Sequence, residues 1–215
     1  MDIRPASDRS LLVSFGSEIS LEAHRRVLHL LAGLERRPAG LLNLHPAFAS
    51  VLIDFDPRRL SHVQVEALVR ERMAAAPLQP QASPRAIDIP VRYGGDAGPD
   101  LAEVARHTGL APERVIELHA SAGYLVYFLG FAPGFPYLGG MPAELATPRL
   151  PAPRKHVPAG SVAIGGSQTG IYSVDSPGGW RIIGRTYLRL FNPESTPPAL
   201  LSAGDRVHFI PQRDS

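Results

Sequence analysis

The sequence contains no cysteine. Disulfides, thiolate nucleophiles and cysteine-ligated zinc are therefore excluded. Net charge is also scarce, +2 over 215 residues. No basic stripe interleaves with aromatics, so the electrostatic footprint of a nucleic-acid binder is missing. No apolar run is long enough to span a bilayer. The opening MDIRPASDRS lacks the apolar stretch of a signal peptide, and the expected location is the cytoplasm. His24 and His29 lie five positions apart, off a shared helical face, and no H-x-x-x-H or H-E-x-x-H pair occurs, so no metal site is expected. No G-x-S-x-G elbow anchors a hydrolase triad. GGSQTG (Gly165 to Gly170) lacks the Gly-Lys-Ser/Thr ending of a P-loop and sits between strand-like runs, so it reads as a hairpin turn.

What is present is an ordinary globular composition, 44% hydrophobic and 20% charged, in a chain long enough for one large or two small domains. LLVSFG (Leu11 to Gly16) and FASVLIDF (Phe48 to Phe55) read as strands. Ser20 caps a helix through about Arg37, with Ala23, Val27, Leu30, Leu31 and Leu34 on one face. A second helix runs from Ser61 to about Ala76; Ser61 and Gln64 form a capping box, and Val65, Leu68, Val69 and Met73 face inward. This predicts a small α/β domain over residues 1–78. APLQPQASPRA, rich in Pro and Gln, places a linker at 79–85.

Residues 86–215 open with a strand, AIDIPVRY, and two short helices. One is capped by Asp100 with Glu103 behind it; the other starts at Pro112 and runs to about Ala120. YLVYFLG, SVAIG, TGIYSV, WRIIG, YLRLF and RVHFI follow as short β-rich runs punctuated by Gly and Pro. That pattern predicts a β-barrel or sandwich, and an α+β chain overall. Half of the 20 glycines lie between Gly130 and Gly179, inside this part.

The same part holds the candidate chemistry. PRLPAPRKHVPAG carries Arg149, Arg154, Lys155 and His156 on a proline-stiffened loop. It suits bidentate capture of carboxylate or phosphate, or is a solvated basic loop. Gln168 and Tyr172 sit among glycines close by. Trp180, after two glycines, either stacks on a ligand or, as preferred, plugs a barrel end. His119, at a helix end, is a C-terminal dipole partner or a proton carrier. GFAPGFPY, with Phe131, Phe135 and Tyr137, is too rich in Gly and Pro for a core strand and too aromatic for a solvent loop.

Three stretches, VYFLGFAPGFPYLGGMP, TPRLPAPRKHVPAGSVAIGGSQTGIYSVDSPGGWRIIGRT and LLSAGDRVHF, closely resemble the KipI / allophanate hydrolase subunit 1 family. LLVSFG, HPAFASVLIDFDP and IPVRYGG resemble it as well, so the likeness covers nearly the whole chain. The resemblance implies a small N-terminal α/β domain followed by a cyclophilin-like β-barrel, without prolyl isomerase activity. It implies a role best characterised in the B-subunit of 5-oxoprolinase. That enzyme converts 5-oxoproline to glutamate with ATP, accompanied by Mg2+, and the B-subunit acts together with a C-subunit and an A-subunit. Alone it is expected to be inactive. Other roles in the family are inhibition of a sensor histidine kinase and a urea or allophanate carboxyltransferase component. Activating a lactam amide with ATP needs cations, a carboxylate clamp and exclusion of water. On that basis His119, Arg154 and His156 are the expected catalytic residues. Arg149, Lys155, Gln168 and Tyr172 are expected to bind substrate. Phe131, Phe135, Tyr137 and Trp180 are expected to wall the cleft or pack on a partner. The aromatic loop, the Pro-Arg loop and the SPGGW turn are expected to meet at one cleft.

Overall fold

The computed structural model describes residues 1–75 and 85–212. The chain forms two compact units, Met1–Ser83 and Pro84–Ser215. The expected linker at 79–85 lies outside the described residues apart from Arg85.

The first unit runs β1 (Asp2–Ser7), β2 (Ser10–Ser14), α1 (Leu21–Gly33), β3 (Leu41–Pro46), β4 (Ser50–Phe55) and α2 (His62–Ala74). Its sheet is antiparallel in the order β1-β2-β4-β3. Strand alternation sends Leu11, Val13, Val51, Ile53 and Phe55 to one face, where Val27 and Leu30 of α1 and Val65 and Val69 of α2 close the core. The Ser61–Gln64 capping box is formed in both directions. Two strands beyond the expected pair appear, β1 and β3. Both are edge strands: β1 is almost wholly exposed, and β3 is irregular, with buried Leu41 next to exposed Leu42 and Asn43 at a register shift, so neither carries a clean alternation for a sequence pattern to show. Helix α1 stops at Gly33, short of Arg37.

The second unit contains β5 (Ala86–Tyr93), α3 (Leu101–Thr108), α4 (Pro112–Ser121), β6 (Tyr124–Leu129), β7 (Pro136–Gly139), β8 (Arg154–Val157), β9 (Ser161–Gly165), β10 (Gln168–Ile171), β11 (Ser176–Gly178), β12 (Arg181–Arg185) and β13 (Arg206–Pro211). Among the described residues, β10-β7-β6-β13-β5-β12-β9 close a seven-stranded barrel, and β8 pairs with β11 outside it. The β13–β5 pair is parallel; the other barrel pairs are antiparallel. Inward residues such as Ile89, Val91, Val126, Leu138, Val162, Ile164, Ile171, Val207 and Phe209 fill the interior, and α3 and α4 supply Val104 and Val115 to the same core. The α+β architecture expected from the sequence is the one observed.

Candidate functional site

The outer wall of the barrel carries a second, separate aromatic layer. On β9 and β10 the residues alternate: Val162, Ile164 and Ile171 point inward, while Ala163 packs in the outer cluster with Phe135, Tyr172, Trp180 and Ile182. Register places Gln168 opposite Gly165, Gly170 opposite Ala163, and Tyr137 opposite Gly170, so these residues share the outer face. The glycines leave room for rings. A Cβ on Gly165 would stand 2.5 Å from the Trp180 indole, and one on Gly170 would stand 2.9 Å from the Phe135 ring. Trp180 therefore lies flat on the outside of the wall rather than plugging a barrel end.

The structure brings the five expected aromatics into one patch. Phe135 meets Phe131 at 5.4 Å, Tyr137 at 5.1 Å, Tyr172 at 5.4 Å and Trp180 at 5.7 Å, all edge-to-face. Such pairs add about 1 kcal/mol each beyond area burial. Phe135, Tyr172 and Trp180 form a buried floor, Tyr137 is half-buried, and Phe131 stands 62% exposed. Phe131 has φ 67°, a left-handed conformation that a non-glycine residue adopts only against a cost of about 1–2 kcal/mol. The surrounding turn holds it there: Phe135 N donates to the Ala132 carbonyl at 3.0 Å, and Ser173 Oγ donates to the Pro133 carbonyl at 2.7 Å.

The Pro-Arg loop reaches the same patch. Leu150 N donates to the Gly179 carbonyl at 2.7 Å, and Thr147 bridges Gly166 through two backbone bonds. The aromatic loop, the Pro-Arg loop and the SPGGW turn thus meet at one place. Arg149 sets its guanidinium 5.6 Å from the centroid of Trp180. Burial pushes the Tyr172 phenol above its ordinary pKa; a hydrogen bond from the Trp180 backbone N–H and the charges of Arg149 and Arg154 oppose that rise. Burial likewise raises Tyr137, opposed by Arg149.

Arg154 is anchored from below. Its Nη2 donates to Asp100 at 2.7 Å, while the other Asp100 oxygen accepts the Ile182 N–H at 2.7 Å. Asp100 precedes α3 but makes no side-chain capping bond. The expected cap is instead a buried anchor, 5% exposed, for the loop above it. Arg181 repeats the arrangement, pairing with Glu103 and donating to the Pro148 carbonyl at 3.1 Å. Asp100 and Glu103 position these loops, a role the sequence reading missed by taking them for a helix cap. Their ion pairs cross 54 or more positions and leave no local pattern. Arg154 keeps a further donor, Nη1, buried and without a hydrogen-bond partner among the described residues.

The other expected residues are spread out. Gln168 is half-buried on the outer face, and its side chain makes no hydrogen bond among the described residues. Lys155 is exposed. His156 is exposed and held by Asp175 at 3.1 Å; Asp175 also accepts the Ala159 N–H at 2.8 Å.

His119 is elsewhere. It is fully buried inside the barrel unit, stacked on Phe209 at 4.6 Å. Tyr93 Oη lies 2.8 Å from Nδ1 and Thr169 Oγ1 lies 2.9 Å from Nε2. Thr169 donates its own proton to the Ala163 carbonyl at 3.0 Å, so it accepts from Nε2–H, and Nδ1 accepts from Tyr93. The ring is neutral, with both nitrogens used and no route to a substrate; neither the proton-carrier nor the dipole-partner reading fits this placement. Burial lowers its pKa from 6.5 to about 3. A histidine that folding keeps neutral contributes its full stabilisation above the unfolded value and loses it as pH falls towards the folded one. The barrel is therefore expected to lose about 1.4 kcal/mol per pH unit between 6.5 and 4 through His119. Trp180, the chain's single tryptophan, reports on this unit in denaturant titrations. The slope should flatten in His119→Phe; an unchanged slope would remove His119 as its source.

Residues 1–201 match the carboxyltransferase domain, subdomain C and D. The chain belongs to that carboxyltransferase-domain family. Within it, the 5-oxoprolinase B-subunit of Bacillus subtilis (strain 168) is 43% identical over 219 residues, covering 97% of this chain and 91% of that protein. The 5-oxoprolinase B-subunit of Escherichia coli O157:H7 is 43% identical over 208 residues, covering 96% and 94%. The solved structure of TTHA0988 superposes with a TM-score of 0.84 at 42% identity, over 96% of this chain and 40% of that longer chain. The likeness seen in the central motifs and these comparisons lead to the same family.

Proposed function

We propose that this chain is the B-subunit of an ATP-dependent 5-oxoprolinase, opening 5-oxo-L-proline to L-glutamate together with a C-subunit and an A-subunit. The observation that carries the reading is the pairing of two guanidinium groups, Arg149 and Arg154, with a single aromatic face. 5-Oxoproline is a small ring with apolar methylenes, a carboxylate and a lactam amide. Phe131 and Tyr137 offer the ring an apolar surface. Arg154, through its unpartnered Nη1, and Arg149 offer donors to the carboxylate. Gln168 presents an amide to the lactam.

ATP supplies the driving force for opening a poorly electrophilic amide. Lys155, which makes no ion pair among the described residues, is the cation open to its phosphates. No group of three or more His, Asp or Glu is placed to hold a metal ion among the described residues. Mg2+ would therefore be held mainly by the phosphates. His156, oriented by Asp175, is the solvent-accessible histidine of the Pro-Arg loop and the candidate proton carrier. The face is open on the side of Phe131, so water is excluded only when a partner covers it. On this reading the chain is inactive by itself.

Co-expression with the C- and A-subunits, followed by an assay of ATP-dependent glutamate release, tests this directly. Release is expected to need all three chains. Full release with this chain left out would sink the proposal.

A further inference from the structure

Among the described residues, three hydrogen-bond donors beneath the aromatic face have no acceptor. Arg154 Nη1 and Ser176 Oγ are both buried and make no hydrogen bond. The third is the Tyr172 hydroxyl. It accepts from the Trp180 backbone N–H, and burial keeps it protonated, so its own proton remains to be given. A buried polar atom left unpaired costs as much as a lost hydrogen bond, and a fold that keeps several together calls for an acceptor from outside. From this convergence we infer that Ser176 is a specificity-determining residue: with Tyr172 and Arg154 it receives the carboxylate of a small cyclic acid bound at the face.

Strand register brings the three together. In the β8–β11 pair, Ser176 faces Val157 and Gly178 faces Arg154. Antiparallel partners point to the same side, and Ser176 and Gly178, two apart on β11, share that side. The irregularity between them takes up the extra residue on β8. This side meets the aromatic layer, because Val157 is buried in the cluster with Phe135, Tyr172 and Trp180. Gly178 marks the spot: a Cβ there would overlap the Tyr172 hydroxyl. The phenol tip therefore fills the place of the missing side chain, one same-face position from Ser176 and across from Arg154. The nearby carboxylates are engaged elsewhere. Asp100 takes Nη2 of Arg154 and the Ile182 N–H, and Asp175 takes His156 and the Ala159 N–H. A substrate carboxylate offers about four lone-pair sites and no proton, enough for all three donors, whereas a lone lactam oxygen has fewer. Entry requires the rim to part. Phe131, 62% exposed and edge-on to Tyr172 at 6.2 Å, is the ring that moves with least loss of buried area.

The inference rests on the reading of this face as the 5-oxoproline site, and the experiment lets it and the proposed activity fail separately. Trp180, the chain's single tryptophan, lies in the same cluster, so its fluorescence reports binding to the full chain. The probes are 5-oxo-L-proline and 2-pyrrolidinone, the same lactam without the carboxylate. The acid is expected to bind saturably and at least about tenfold tighter than 2-pyrrolidinone. Ser176→Ala is expected to weaken the acid about tenfold and to leave 2-pyrrolidinone unchanged, a split that a merely structural residue would not produce. Tyr172→Phe, which removes one oxygen, is expected to do the same and keeps the test valid if Ser176→Ala fails to fold. The inference is overturned if the acid does not bind, if the folded variants bind it as the unaltered chain does, or if both ligands weaken together. Glutamate release by the three-chain complex is the separate readout. A complex that releases none, built on a chain that binds the acid through Ser176, sinks the proposed activity and leaves this inference standing.

Discussion

Arg154→Lys is expected to leave the barrel folded and to lower ATP-dependent glutamate release in the complete complex by about 100-fold. The two halves of that expectation come from the two ends of one guanidinium. Nη2 is committed to Asp100 at 2.7 Å. A lysine ammonium can take over that ion pair, so the buried carboxylate keeps a partner and the loop keeps its anchor. Nη1 is the buried donor left without a partner, and lysine has no second nitrogen to put there. A hydrogen bond between charged groups is worth about 1.5–3 kcal/mol, and about 2.7 kcal/mol corresponds to a hundredfold. Arg154→Ala is less informative, because it also strips Asp100 of its counter-ion. Thermal unfolding and turnover measured on the same lysine variant decide the matter. Wild-type turnover in a folded Arg154→Lys protein would take Arg154 out of the site.

Gly165→Ala is expected to destabilise the barrel unit by about 3 kcal/mol, a fall of roughly 10 °C in its melting temperature, and to abolish glutamate release. The new methyl group would meet the Trp180 ring at 2.5 Å, too close for any side chain to tolerate without moving. The wall cannot yield, since Gly165 is paired on one side with Gln168 and its strand is bonded to β12 on the other. The indole must lift, and it takes with it the floor of the patch and the cation-π contact to Arg149. The neighbouring Gly166 is the control. A Cβ there meets nothing within 4 Å, so its cost comes only from φ +66°, about 1–2 kcal/mol. Trp180→Leu should reduce the penalty of Gly165→Ala if the clash is its cause. Equal melting temperatures for Gly165→Ala and the unaltered protein would refute this account of the glycine.

The sequence made the barrel legible where a strand buries one side and packs the other, as in SVAIG and WRIIG. It did not show β1, almost wholly exposed at a sheet edge, or β3, whose alternation is broken by an irregularity between Leu41 and Asn43. The aromatic and Pro-Arg loops were visible as composition, yet the reason for their glycines was not. Gly165 and Gly170 read as part of a hairpin turn, and they are recesses beneath rings contributed from elsewhere in the chain. Asp100 looked like a helix cap because its neighbours fit one; its partner Arg154 is 54 positions away. His119 was misplaced for a reason available in the sequence. It lies four residues after Val115, one helical repeat along the buried stripe, so its ring turns to the core with that valine.

The parallel pairing of β13 with β5 also bears on how the molecule is made. Arg206 aligns with Ala86 and Phe209 with Ile89, a contact between the last strand of the barrel and its first. During synthesis every other barrel strand leaves the ribosome before β13, and the cylinder stays an open sheet until that strand arrives. Its two waiting edges, on β5 and β6, expose Ile89, Val91 and Val126 for that interval. The closing segment, RVHFIP, is thus the element on which chaperone dependence and the fate of nascent chains should turn.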